Sequence, residues 1–195
     1  NTGSSSTSIA SAKSIGTGNN TIMQGPQPAS CNNIDFESNS TAGWTVTGDS
    51  QIMSGGTDPF GGFPCVFPGG NFSLRLNDNN ITSKVNFAAS ASRVINVSAA
   101  NNYLNFHFAL DILNFPHSAA EAAKFKIEFF NASNVLLACP YYECYYSTTT
   151  GPVGATNFQT TPGSPGINIG NQAFPVTYLP WQTVGLDLTA YMEIG

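Results

Sequence analysis

His107 and His117 are the only side chains whose ordinary pKa lets them act as a general base near neutral pH. Nucleophilic catalysis needs such a base beside a Ser or Cys, with a third group orienting it. The chain has no GxSxG turn, and the alternation around His107 puts it on the outward phase of a strand. Glycoside hydrolysis would instead need two facing carboxylates. Asp35, Glu37, Asp111, Glu121, Glu128, Glu143 and Asp187 could supply them, but eleven acids in a β-rich chain produce some pair by chance. The chain is therefore read as non-catalytic.

Four cysteines, Cys31, Cys65, Cys139 and Cys144, allow three pairings. Neither CxxC spacing nor paired histidines support a zinc site. The two cysteines of "CPYYEC" are close enough in sequence for a local Cys139–Cys144 bridge, leaving Cys31 with Cys65. Such bridges would imply an oxidising compartment. Four buried free thiols are the alternative. The same stretch carries Tyr141, Tyr142, Tyr145 and Tyr146. Planar aromatics stack on sugar faces, and tyrosines serve protein partners equally well. This loop is the candidate ligand-binding surface, although alternation would bury about half of its rings. Trp44 and Trp181 are assigned to the core.

The elements that must hold these residues are strands. Leu104, Phe106, Phe108 and Leu110 alternate with Asn105, His107 and Ala109, and Phe125, Ile127 and Phe129 alternate with Lys124, Lys126 and Glu128. Val184, Leu186 and Leu188 repeat the pattern near the end of the sequence. Further strands are expected at "NIDFES", "GWTVTGD", "FSLRLN" and "NVLLACPYY", and loops at the Gly/Pro-rich stretch 55–71 and over 147–180. Only "HSAAEAAKF" hints at a helical turn. Many short strands separated by turn signals indicate an all-β sandwich. Residues 1–30 are polar, with few large apolar groups, and read as a flexible leading arm, ordered only if a sheet edge or a neighbour holds it. Residues 31–195 form the domain.

Charged residues make up 9% of the 195, against roughly a quarter in ordinary globular proteins. A surface wetted by Ser, Thr, Asn and Gln suits an extracellular β-protein. With a net charge of −5 and six Lys or Arg, there is no basic stripe to neutralise phosphates, so nucleic acid is set aside as a partner. No apolar run approaches the roughly 20 residues of a membrane-spanning helix.

The phrases "CNNIDFES…GW", "GGTDP…FPGGNFSLRLN", "HSAAEAAKFKIEF" and "PWQTVGLDLTAY", in this order, resemble a bacterial module. It is the jelly-roll domain near the N-termini of very large surface adhesins of gliding bacteria, of the SprB type. These proteins are exported by the type IX secretion system and often carry PKD-like repeats. The resemblance covers about residues 31–195 and departs from the pattern at Cys65. It implies an antiparallel jelly roll that continues for a strand or two beyond Gly195, at the cell exterior, with attachment to a glycan, a surface or a protein as its task. By analogy with jelly-roll sugar-binding modules, Asp35, Glu37 and Asp187 would hold a structural calcium; no other cofactor is expected. His117 and Glu121 would lock a turn through backbone hydrogen bonds. Two rival readings are a carbohydrate-binding module of a secreted polysaccharide-degrading enzyme, and a subunit whose leading arm adds as a strand to a neighbouring copy's sheet in a filament.

Overall fold

The computed structural model describes residues 6–11, 33–77, 89–100, 102–113, 122–147, 151–155, 158–160, 167–169 and 172–191. Among these the regular structure is β, with one 3-10 turn at Thr189–Tyr191 and no α-helix. The strands are β1 (Ser6–Ser11), β2 (Thr45–Thr47), β3 (Ser50–Met53), β4 (Ser73–Leu76), β5 (Ser90–Ser92), β6 (Tyr103–Leu113), β7 (Lys124–Ile127), β8 (Tyr142–Ser147), β9 (Gly151–Val153), β10 (Gln159–Thr160), β11 (Ile167–Ile169), β12 (Gln172–Phe174) and β13 (Val176–Asp187).

The largest sheet has the order β10-β13-β6-β1-β4-β3, and every neighbouring pair is antiparallel. β7-β8-β9 form a second antiparallel sheet, and β2-β5 and β11-β12 form two-stranded pieces. The long alternating runs become the axis of the large sheet. β13 pairs with β6 from Val176↔Leu113 to Asp187↔Tyr103, with a register shift between Leu179 and Gln182. The polar leading segment, expected as an arm, supplies β1 over Ser6–Ser11. It lies in the sheet interior, between β4 and β6 of its own chain, rather than at an edge.

Because side chains alternate along a strand, one face of the large sheet collects Leu74, Leu76, Phe108, Leu110 and Ile112. Phe125 and Cys144 from the three-stranded sheet pack onto Phe108, Leu110 and Leu179. Phe36, Trp44, Val46 and Ala91 cover Leu74 and Leu76 at the other end of that face. The middle of the opposite face, around His107, Ala109 and Asp111, is covered as well. The Gly/Pro-rich stretch folds back over it, so Phe63 and Cys65 lie on Ala109, with Met53, Tyr178 and Trp181 beside them. The indole Nε1 of Trp181, within the register shift, donates to Pro64 O at 2.7 Å and ties this cover to β13.

Three sequence expectations are corrected. "NIDFES" is a set of turns: Asn33 Nδ2 donates to Ser40 O and Ala42 O, its Oδ1 accepts from Ser38 N, and Asn33, Phe36 and Asn39 take positive φ. Local side-chain bonding to the backbone wins there over strand pairing. "NVLLACPYY" becomes a strand only from Tyr142, and the stretch before it holds a single bridge, Phe130↔Leu136. The expected loop over 147–180 contributes β9 to β12 and the start of β13. The helical hint at 117–125 falls mostly outside the described residues, and Lys124 and Phe125 belong to β7.

Candidate binding surface

β8 sorts the tyrosines. Tyr142 and Tyr146 turn inward with Cys144 and pack against the core. The Tyr142 ring lies 5.6 Å from that of Phe108, and its hydroxyl donates to Gly154 O at 3.1 Å. Burial raises its pKa above the usual tyrosine range. The Tyr146 ring lies 5.9 Å from Phe158. Tyr145 and Glu143 occupy the other face, opposite Lys124 and Lys126 of β7. Lys124 Nζ sits 3.3 Å from Glu143 Oε1 and 4.7 Å from the centre of the Tyr145 ring, so a cation already engages that ring. Tyr141 is exposed. Of the four tyrosines, Tyr141 and Tyr145 are therefore the ones at the surface.

A second surface feature lies between β7 and β8, in the stretch that the sequence led us to expect as a strand. Between β7 and β8 the chain reverses at Asn131–Asn134, where Asn131 Oδ1 accepts from Ser133 N and Val135 N, and Asn134 N donates to Asn131 O. This hairpin presents Phe130 (53% exposed), Val135 (56%) and Leu136 (49%). Scattered surface apolar residues are ordinary, but Phe130 and Leu136 are paired across the hairpin and so expose a shared apolar face, with Val135 exposed at the same tip. The signal that could have revealed it is "NASN" between two apolar runs: it makes a tight reversal, and nothing after it guarantees a facing layer.

The calcium candidates each accept hydrogen bonds from nearby groups of the chain. Glu37 accepts from Asn71 N at 3.0 Å, Asn71 Nδ2 at 2.9 Å and Phe72 N at 3.4 Å, clamping the end of the Gly/Pro stretch. Asp35 Oδ1 accepts from Glu37 N at 3.3 Å. Asp187 accepts from the Thr189 amide at 2.8 Å and from its hydroxyl, and these bonds lower its pKa. Among the described residues no group of three His, Cys, Asp or Glu is placed to hold a metal ion.

The proposed local bridge does not form. Cys139 and Cys144 are free thiols, one exposed and the other fully buried, because Cys144 faces the core in β8 while Cys139 lies outside that strand. Cys65 is also free and buried; Cys31, its expected partner, lies outside the described residues, as do His117 and Glu121. Burial pushes the Cys144 thiol up to about 11, and burial, followed by the nearby Asp58, raises that of Cys65. Thiolate is the reactive form. A disulfide reagent should therefore label Cys139 at once in the native protein and reach Cys65 and Cys144 only on unfolding. Immediate native labelling of either buried thiol, read by mass spectrometry of peptides, would contradict their placement.

His107, expected on an outward face, is 1% exposed. Its ring stacks on Phe67 at 4.0 Å, and its Nδ1 is 2.8 Å from Thr183 Oγ1. The cover folded back over β6 accounts for this burial, and a period-2 pattern cannot reveal such a cover.

The same cover brings Asp58 to Asp111, a pair missed from sequence. Both are buried, at 5% and 4% exposure. Asp58 Oδ1 accepts from Phe60 N and Gly61 N at 2.9 and 2.6 Å. Asp111 is hydrogen-bonded to Asp58, and burial, then this bond and the Asp58 charge, push its pKa up to about 10. Burial and the neighbouring Asp58 thus favour the protonated form of Asp111. The arrangement fastens the cover to β6. Comparison with protein-family models, characterised proteins and solved structures finds no match.

Proposed function

We propose that this chain is a non-catalytic attachment module, displayed at the cell exterior as part of a large type IX-secreted adhesin of the gliding-motility type, with its sheets arranged as a jelly roll. The observation that carries the reading is the exposed hairpin tip of Phe130, Val135 and Leu136. Covering an aliphatic or phenyl side chain is worth about 1.5–3 kcal/mol, so three together can supply a useful share of a contact energy. The partner this tip suits best is an apolar patch on a protein or on a solid surface. The inward turn of Tyr142 and Tyr146 leaves less ring area for stacking on a sugar than four outward tyrosines would. The engagement of His107 with Phe67 and Thr183 likewise favours a packing role over a basic one.

Retention of the purified chain on polystyrene and on polysaccharide-coated beads tests the proposal. The triple variant Phe130→Ser, Val135→Ser, Leu136→Ser should lose about 100-fold in polystyrene affinity, from roughly 1 kcal/mol per side chain, while its melting temperature stays within about 2 °C. Unchanged retention would refute the hairpin as the contact. Binding to polysaccharide that is lost in Tyr141→Ala or Tyr145→Ala would favour the carbohydrate-binding module instead.

A further inference from the structure

We propose that β1 is an exchangeable strand, so that the slot between β4 and β6 can be filled by residues 6–11 of a second copy of this chain. The inference rests on the sheet order and is independent of the hairpin tip. β1 is paired along both edges: Ser6 to Ser11 face Ile112 to His107 of β6, and Ser8 to Ala10 face Leu76 to Leu74 of β4. No ladder joins β4 to β6 directly, so β1 alone bridges the two halves of the large sheet. Without it, two rows of backbone N–H and C=O groups face each other unpaired, and such rows recruit an added strand.

The occupant is identified by the slot itself, which already accepts this sequence in this register. Residues 12–32 tether β1 to the remainder of the domain, and a chain of that length can span about 70 Å at roughly 3.3–3.6 Å per residue. That reach covers a neighbouring copy as readily as the chain's own slot. An exchanged strand makes the same ladder in trans as in cis, which is why swapping of an identical element is a low-cost route to association. The balance is then set by concentration. A tether of a few tens of residues sets an effective concentration of about millimolar, so dilute chains close on themselves and crowded ones exchange.

Proline at position 9 tests this, because it removes a donor and fixes φ in an interior strand. The full-length chain, unfolded in denaturant and refolded at about 1 mM, should give dimers and larger species by light scattering. Refolded at about 5 µM, it should give monomer. Ile9→Pro should cut the associated fraction at least tenfold. A synthetic peptide of residues 1–12 should bind Ile9→Pro chains and raise their melting temperature, whereas the same peptide carrying Ile9→Pro should not. Should the Ile9→Pro chain fail to fold, excess wild-type peptide during refolding of the wild-type chain should still suppress dimers. Monomer alone at 1 mM would overturn the proposal, as would dimers indifferent to both the substitution and the peptide.

Discussion

Phe108→Ala is expected to remove about 4 kcal/mol of folding free energy, near the middle of the range for emptying a buried aromatic site. Phe108 is fully buried, and its ring lies 4.5 Å from Phe125, 5.6 Å from Tyr142 and 6.4 Å from Phe106. It is therefore the point where β6 of the large sheet meets β7 and β8 of the small one. The lost contacts come from both layers, and neither can collapse into the cavity without breaking its own ladder. Against a typical total of about 5–15 kcal/mol, such a loss is severe. Denaturant titration at 25 °C should show a lower midpoint with the slope unchanged. Phe130→Ala, at the exposed tip, should stay within about 0.5 kcal/mol of wild type. A loss below about 1 kcal/mol for Phe108→Ala would mean that the two sheets do not pack through this ring.

The second large effect is on pH dependence. Folded Asp111 holds its proton up to about pH 10, whereas an unfolded aspartate gives it up near 3.8. Between these values the native state binds one more proton than the unfolded state, so this group's contribution to stability falls as pH rises from about 4 to about 10. The slope reaches at most about 1.4 kcal/mol per pH unit. Asp111→Asn keeps a donor for Asp58 and cannot ionise. The variant should therefore melt higher than wild type at pH 8, with the advantage shrinking toward pH 4. Calorimetric melts at several pH values give the comparison directly. An advantage independent of pH would mean that Asp111 is ionised in the fold.

How far the sequence carried this picture depends on the range of the forces involved. β6, β7 and β13 were legible because each has one apolar face, and alternation alone records that. The split of the tyrosines followed from the same rule, with Tyr142 and Tyr146 inward and Tyr145 outward. The rest was set by partners distant in sequence. Nothing around His107 or Asp111 announces that residues 58–67 will return to cover them. β1 has no apolar stripe; its place is fixed by backbone pairing with strands far along the chain. "NIDFES" has the residues of a strand, but the hydrogen bonds of Asn33 close it into turns. In the hairpin, the apolar run of Val135 and Leu136 has the residues of a strand, yet both side chains are exposed.

The position of β6 also governs the order of assembly. Its two neighbours in the sheet come from residues 6–11 and 176–187, close to opposite ends of the described chain. Contacts of such long sequence separation lose loop entropy before they gain any pairing, so high contact order slows folding into the range of milliseconds to seconds. A nascent chain could complete the β3–β4 hairpin and the β7–β8–β9 meander early. Its central ribbon, by contrast, would stay half-matched until Asp187 had been synthesised.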